Sequence, residues 1–387
     1  MTSIEPSCRL HSFTCYSMNK NATIRLQSLC EIHIYVGHCL FLLISHCIFL
    51  SQNYWSCTDM MRVVEQISNM AGKIVLITGS TSGLGLHTAK NLYLRGATVI
   101  LTCRDEVRGR AAVEAVHMQG DTNDESQPCR IYLFTLDLAS YKSILSFCME
   151  IKANFDHIDV LVNNAGVMGL PFELSRDGVE MHFATNAFGH FVLVNNLLPL
   201  LEKSTDGRIV IVSSGLYKGV NHIPTLRQLM GEQDWDYQPR FAYGLSKLAN
   251  CLHAVELARR LTANKCSTKV YALRPGFVGG TELGRETHWL LRTLASPLIW
   301  LFSKNLDEGI ESIVNCAVTP NDELTSGALY YACHEEEYGP MVTPGNVHKM
   351  WNIFTEMENL ILKRSHILSD EERAQAEVGR KTLPVDT

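Results

Sequence analysis

Seven short apolar runs, spread from residue 73 to residue 333, constrain the fold of this chain more than any other feature. They are KIVLITG (73–79), ATVILTC (97–103), RIYLFTLDL (130–138), IDVLVNNAG (158–166), GRIVIVSS (207–214), KVYALRPG (269–276) and GALYYAC (327–333), with amphipathic helical stretches between them. Strand-like runs alternating with helical stretches build βαβ units around a parallel sheet. Runs that are apolar almost throughout mean that helices cover both faces of that sheet. The expected class is therefore α/β with a doubly wound parallel sheet, which binds ligands where the carboxyl ends of the strands meet a switch in strand order.

Composition allows one large core or two smaller ones. Of 387 residues, 46% are hydrophobic and 19% charged, as in a globular protein with a substantial core. The net charge of −6 and the lack of any dense lysine and arginine stripe exclude nucleic acid as the expected partner. Six of the thirteen cysteines (Cys8, Cys15, Cys30, Cys39, Cys47, Cys57) crowd into the first 57 residues. The others (Cys103, Cys129, Cys148, Cys251, Cys266, Cys316, Cys333) form no CxxC pair and sit mostly in apolar surroundings, as buried thiols of a reducing compartment do.

The division expected along the chain is an N-terminal extension (1–71), the sheet-forming domain (72–362) and a charged C-terminal tail (363–387). Within the extension, IHIYVGHCLFLLISHCIFL (32–50) contains no Asp, Glu, Lys or Arg. It approaches the roughly 20 apolar residues that cross a bilayer. This is the candidate membrane anchor, interrupted by His33, His38 and His46, and it starts too far from Met1 to read as a cleaved signal peptide. The histidines and cysteines here match no zinc spacing, so no metal site is expected. A competing reading is that residues 1–59 do not belong to the working protein, because Met60 and Met61 lie just before the first strand. The location follows: membrane-associated, at the endoplasmic reticulum or mitochondrion, if 32–50 is an anchor, and cytoplasmic otherwise.

The first strand runs into TGSTSGLG (78–85) and then into the helical LHTAKNLYLRG. Glycines at 79, 83 and 85 permit a tight turn and let backbone amides approach a pyrophosphate at a helix N-terminus. A glycine pattern between strand and helix points to a dinucleotide site; tight turns alone also use glycine. The second strand ends in Thr102, Cys103 and Arg104, where an NAD site would present a carboxylate to the ribose hydroxyls. A guanidinium there suits a 2′-phosphate, which favours NADP(H) and leaves NAD(H) as the second choice; the plain alternative is a surface arginine paired with Asp105 or Glu106.

In RFAYGLSKLAN (240–250), Tyr243 and Lys247 stand at i and i+4 on one helix face. A nearby ammonium favours the phenolate, so Tyr243 can serve as general acid or base for a carbonyl oxygen. Taken alone, such a pair is more often packing. The fifth strand, however, ends in Ser213 and Ser214, where a hydroxyl can bond the same reacting oxygen.

Taken together, TGSTSGLG, the Asp137-Leu138 pair, NNAG (163–166), Asn186 in TNAFGHF, VSS ending at Ser214, YGLSK and RPG (274–276) resemble the classical short-chain dehydrogenase/reductase family over nearly everything from Gly72 to Leu360. The resemblance implies a Rossmann-type fold with a single catalytic domain. It implies Tyr243 as catalytic acid/base, Lys247 as the group that binds the nicotinamide ribose and lowers the tyrosine pKa, Ser214 as donor to the carbonyl oxygen and Asn186 as holder of a relay water. The implied cofactor contacts are Gly79, Ser80, Thr81, Ser82, Gly83, Leu84, Gly85, Arg104, Asp137, Leu138, Asn163, Ala165, Gly166, Tyr243, Lys247, Pro275, Gly276 and Thr281. Thr281 follows the proline-glycine pair one residue later than the common pattern, and Thr81 and Leu86 replace the usual asparagine or lysine.

Within that family, IVIVSS, FAYGLSKLAN, ELARRL and TELGRETH look most like the retinol dehydrogenase branch of membrane-associated reductases. This likeness implies an NADP(H)-dependent oxidoreductase that interconverts a lipophilic aldehyde or ketone and its alcohol. Two alternatives stay open: the same chemistry on a steroid or xenobiotic carbonyl, and a catalytically silent dinucleotide-binding scaffold. The stretch FVGGTELGRETHWLLRTLASPLIWLF after Gly276 is expected to cover the site as a substrate wall, a membrane-resting helix or ordinary core packing. Homodimerisation is expected, if it occurs, through the helices bearing Asn186 and Tyr243.

Overall fold

The computed structural model describes residues 69–118, 130–276 and 306–364. The candidate anchor (32–50), the polar loop at 119–128, Cys129, Thr281 with the apolar stretch after Gly276, and the tail beyond Arg364 lie outside the described residues. The elements run β1 (Ile74–Ile77), α1 (Gly83–Leu94), β2 (Thr98–Cys103), α2 (Glu106–His117), β3 (Ile131–Thr135), α3 (Tyr141–Asn154) and β4 (Val160–Asn163). They continue with α4 (Gly189–Leu201), β5 (Arg208–Val212), the single turn α5 (Leu226–Leu229), α6 (Pro239–Ala263) and β6 (Lys269–Leu273). Last come α7 (Leu306–Val318), β7 (Leu329–Tyr331), β8 (His334–Glu336) and α8 (Pro344–Arg364).

The eight strands lie in the order β3-β2-β1-β4-β5-β6-β7-β8. Pairings from β3 through β7 are all parallel, with Val75 opposite both Val99 and Val160. Each apolar run divides its side chains by the two-residue period of a strand. Leu76, Ile100, Leu161, Ile209, Ile211, Val270 and Ala272 face the layer of α3, α4, α6 and α8. Val75, Ile77, Val99, Leu101, Val160, Val162, Val210 and Val212 face α1, α2 and α7. The doubly wound sheet is thus present, and it places a switch in strand order at β1, between β2 and β4. Among the described residues the core begins at Met70, which is buried, and α8 ends at Arg364, within two residues of the expected limits.

One element departs from the expected all-parallel sheet. The run GALYYAC holds only the three-residue strand β7; the chain then reverses into β8, an antiparallel edge. The reversal uses Ala332 (φ 48°) and Cys333 (φ 65°), two side-chain-bearing residues in the left-handed region that hairpin turns normally fill with Asn or Gly. Without that signature the turn reads as a continuation of the strand. Replacing Ala332 by Asn, which tolerates this region, is expected to relieve about 1 kcal/mol and raise the melting temperature by roughly 2–4 °C. A lower melting temperature would show that the turn carries no strain.

Helix α8 lies on α6 and on the aromatic side of α4. Phe354 stacks on Phe191 at 4.8 Å, Trp351 meets Phe191 edge-on at 5.2 Å, and the Arg260 guanidinium sits 4.3 Å over the Trp351 ring. These contacts pack α8 against one side of α4 and α6. The described cysteines are free thiols, all buried except the partly exposed Cys266.

Candidate active site

The crevice at the carboxyl ends of β1 and β4 is built first by close backbone approach. Gly79 (φ +65°) leaves no room for a side chain, because a Cβ would stand 2.7 Å from Ala165 Cα. At Gly85 a Cβ would stand 2.3 Å from the Gly79 carbonyl and 2.6 Å from Asn164 Nδ2. These contacts fold the glycine loop back against the β4 loop and leave its outer side open.

Helix α1 then begins at Gly83, with no side-chain cap from Ser82 and no acidic residue in its first turn. Its free amides and positive dipole end form a cradle fitted to a diphosphate. Among the other loop residues, Ser80 is turned inward: its hydroxyl accepts from the Thr102 amide at 2.9 Å. Thr81, Ser82 and Leu84 are partly exposed along the loop.

Arg104 is exposed at the end of β2 and makes no ion pair among the described residues. Its acidic neighbours are committed elsewhere: Asp105 caps α2 by accepting from the Arg108 amide at 2.9 Å, and Glu106 pairs with Arg110 at 2.6 Å. The pairing that would have made Arg104 ordinary surface is therefore not formed. Beyond β3, the Asp137 carboxylate accepts from the Ala139 amide at 3.1 Å, while Leu138 is buried.

Asn163, at the end of β4, is 1% exposed, yet neither its amide oxygen nor its amide nitrogen has a protein partner. Orphaned buried polar atoms are costly, and these lie on the strand that borders the switch. Together with the glycine cradle they fit a dinucleotide.

The residues with acid–base chemistry come from three further elements. Pro at the start of α6 suits its first turn, whose amides need no partner. One turn on, Tyr243 and Lys247 are 4% and 3% exposed. At the end of β5 the two serines separate in role. Ser213 is buried and donates to the Lys247 carbonyl at 2.8 Å, whereas Ser214 is partly exposed and its hydroxyl reaches the Tyr243 phenol.

Asn186 lies in a π-helical turn, Ala184–Phe188, that leads into α4. Its amide grips Val167, accepting from the Val167 N–H at 2.7 Å and donating to the Val167 carbonyl at 2.9 Å. It also donates to Ser246 Oγ at 2.9 Å, and Ser246 donates to the Tyr243 carbonyl at 2.7 Å. Gly166 lies between the two groups: a Cβ there would stand 3.3 Å from Asn186 Oδ1 and 3.5 Å from Lys247 Nζ. Pro275 and Gly276 (φ +84°) follow β6 at the same end of the sheet.

The electrostatics differ from the expected picture in one respect. Burial pushes the Tyr243 phenol up to about 12, opposed by the Ser214 hydroxyl. The lysine does not offset this. Lys247 Nζ donates to the Val212 carbonyl at 3.0 Å and lies 5.8 Å from the centre of the Tyr243 ring, and burial draws its own pKa down to about 8. Desolvation of the phenolate outweighs the pull of a displaced ammonium, which favours the protonated phenol as the hydrogen-bond donor.

Asn164, within the NNAG motif, donates through Nδ2 to the Thr78 carbonyl at 2.9 Å and ties the two cofactor-side loops together. Other residues that shape the site carry no signal in the sequence. The polar insertion 218–239 contributes Tyr237, whose hydroxyl lies 3.0 Å from the Leu170 carbonyl and 3.1 Å from Glu180 Oε1. Glu180 also bonds His182 Nδ1 at 2.8 Å, and His182 Nε2 accepts from the Leu170 amide at 3.2 Å. The loop after NNAG is thereby held at Val167 by Asn186 and at Leu170 by His182 and Tyr237. The missed strand β8 supplies Glu336, which holds Arg274 through bonds of 2.6 and 2.9 Å just ahead of Pro275.

Known proteins resemble this chain in sequence and fold. The sequence model described as short chain dehydrogenase matches residues 73–225. Retinol dehydrogenase 14 of Mus musculus is 40% identical over 301 residues, which is 76% of this chain and 87% of that protein. The chain belongs to the short-chain dehydrogenase family.

Retinol dehydrogenase 11 of Homo sapiens is 38% identical over 269 residues, 68% of this chain and 79% of that protein. Among solved structures, an uncharacterized protein of Mycobacterium paratuberculosis is 29% identical with a TM-score of 0.59, covering 76% of this chain and 95% of its own. RhlG of Pseudomonas aeruginosa, solved as an NADP active-site complex, shares the fold at 21% identity and a TM-score of 0.51, covering 67% and 94%. This short-chain dehydrogenase is thus an oxidoreductase of the retinol dehydrogenase branch, a family that binds nicotinamide dinucleotides.

Proposed function

We propose that the chain is an NADP(H)-dependent oxidoreductase that interconverts a lipophilic aldehyde or ketone, of the retinal kind, and its alcohol. The observation that carries this reading is the buried Tyr243 phenol, held protonated by its surroundings, with the Ser214 hydroxyl against it at the mouth of the cofactor crevice. A bound nicotinamide supplies or accepts hydride at the substrate carbon. In the reducing direction Ser214 donates a hydrogen bond to the carbonyl oxygen and orients it, and the Tyr243 O–H passes its proton to that oxygen as charge develops. Oxidation reverses the transfer, with the tyrosine oxygen receiving the proton.

Lys247 places a positive charge beside the ribose position and, through Gly166 and Asn186, connects the tyrosine to the cofactor loop. NADP(H) is supported by Arg104, exposed at the end of β2 and without an ion pair among the described residues. The lipophilic substrate class is supported by the relatives, which are retinol dehydrogenases. Attachment to a membrane through residues 32–50 belongs to the same reading. Among the described residues no helix is long and apolar enough to cross a membrane.

The test is oxidation of NADPH and NADH by the full chain against all-trans-retinal, a steroid ketone and small aromatic aldehydes. Turnover of retinal with NADPH is the expected result. Arg104→Ala should raise the NADPH KM by about 10–100-fold, the value of a lost charge-assisted bond, and leave the NADH KM unchanged. Equal change for both cofactors would remove the assignment of Arg104 to the 2′-phosphate. NADPH binding without turnover of any substrate would favour the scaffold reading.

A further inference from the structure

His190 has no part in the chemistry above, yet it joins the cofactor loop to Asn186. It is 1% exposed, with Nε2 2.8 Å from Thr78 Oγ1 and Nδ1 3.0 Å from the Asn186 carbonyl oxygen. The hydrogen positions follow from the partners. The Thr78 hydroxyl accepts the amides of Asn164 at 2.9 Å and Ala165 at 3.0 Å, which fills both acceptor positions. Its single hydrogen then has two possible acceptors, His190 Nε2 at 2.8 Å and the Val162 carbonyl at 3.3 Å, and the shorter contact is to the ring.

At the other end, a carbonyl oxygen can only accept, so Nδ1 must donate. Both ends require the same tautomer, with hydrogen on Nδ1 and a lone pair on Nε2. The ring is neutral: burial draws its pKa down to about 3, opposed by the Asn186 carbonyl and reinforced by Lys247 and His253.

The place of this contact matters. Asn186 lies in the π-helical turn, where the helix's own hydrogen bonding is disturbed, and turns of this kind recur at functional sites. Its carbonyl is addressed by the side chain one turn on, while its amide grips Val167 and Ser246. We propose that His190 is a positioning residue: its Nδ1–H orients the Asn186 carbonyl for the proton path from Tyr243, and its Nε2 fixes the Thr78 hydroxyl that holds the cofactor loop. The first half rests on the oxidoreductase reading; the second does not.

Two near-isosteric variants of the full chain separate the halves. Asn puts its amide near Nδ1 and keeps the donor to Asn186, and Gln puts its amide near Nε2 and keeps the acceptor for Thr78. His190→Gln is expected to lower kcat with all-trans-retinal at saturating NADPH by about 10–100-fold, with the NADPH Kd within about threefold of the parent. His190→Asn is expected to do the reverse, raising the NADPH Kd by about tenfold with kcat within about threefold.

Opposite assignments, equal losses in both variants, or no change in either would overturn the proposal. Nitrogen NMR of histidine-labelled chain gives a readout independent of turnover. The resonance lost in His190→Gln should show the Nδ1–H neutral form, and an Nε2–H form would overturn the proposal. Absence of retinal turnover in the parent chain would count against the oxidoreductase reading alone, because the NADPH affinity of His190→Asn and the NMR signature still test the link to Thr78.

Discussion

Tyr243→Phe should reduce NADPH-dependent carbonyl turnover by roughly a thousandfold or more, the scale of a lost general acid together with its hydrogen bond to the reacting oxygen. The substitution removes one oxygen and keeps the ring, so packing against Lys247 and the edge-on contact with His182 at 6.5 Å persist. NADPH affinity is expected to stay within about threefold and the melting temperature within about 2 °C, since the phenol spends no strong bond on the fold. Stopped-flow reduction of all-trans-retinal under single-turnover conditions measures the chemical step directly. Retention of even a tenth of the parent rate would show that another group supplies the proton, and Ser214 would be the next residue to test.

Replacing Lys247 by Met should abolish efficient turnover and at the same time stabilise the protein. The ammonium is 3% exposed, and burial draws its pKa from the ordinary lysine value of 10.5 to about 8. A folded pKa below the unfolded value means that protonation costs stability. The cost is full below pH 8, shrinks as pH rises from 8 to 10.5, and is gone above that.

Met fills a similar volume without the charge. The Val212 carbonyl that loses the lysine still accepts from Asn250 Nδ2 at 3.2 Å. At pH 7 the variant is therefore expected to be more stable by roughly 1–3 kcal/mol, or about 3–10 °C in melting temperature. The advantage should fade toward pH 10. A variant less stable than its parent at pH 7 would mean that the lysine contributes more through its bond to Val212 than its burial costs. Stabilisation joined to loss of turnover is the trade-off expected where a charge is kept for chemistry.

The strands β1 to β6 were readable because each shows a short, mostly apolar run, and the central ones, β1, β2, β4, β5 and β6, are buried almost throughout. The short hairpin β7–β8 was not. Three residues on each side leave no periodicity to detect, and Ala332-Cys333 lacks the Asn or Gly that marks such a turn. Tyr243, Lys247, Ser214 and Asn186 stood out because they fall in compact motifs with fixed spacing.

Glu180, His182 and Tyr237 form a comparable cluster that no spacing reveals. Tyr237 lies 55 residues beyond His182, in an insertion that reads only as polar, and its role exists only because the chain folds it over Leu170. The pKa relation between Tyr243 and Lys247 was also beyond the sequence. The i, i+4 spacing places both on one face of α6, but whether the ammonium points at the phenol or at the Val212 carbonyl depends on β5 lying behind it.

By itself the sequence determined the α/β class, the layered sheet, the glycine loop at the first crossover and the candidates for moving a proton, because these depend on local periodicity and on side-chain chemistry. The tertiary structure decided which serine meets the phenol, which side of the dinucleotide crevice holds unpaired polar atoms, the tautomer of His190 and the packing of α8 against α4 and α6. Those outcomes depend on burial and on partners tens of residues away. Desolvation and hydrogen-bond completion act only once the elements are packed.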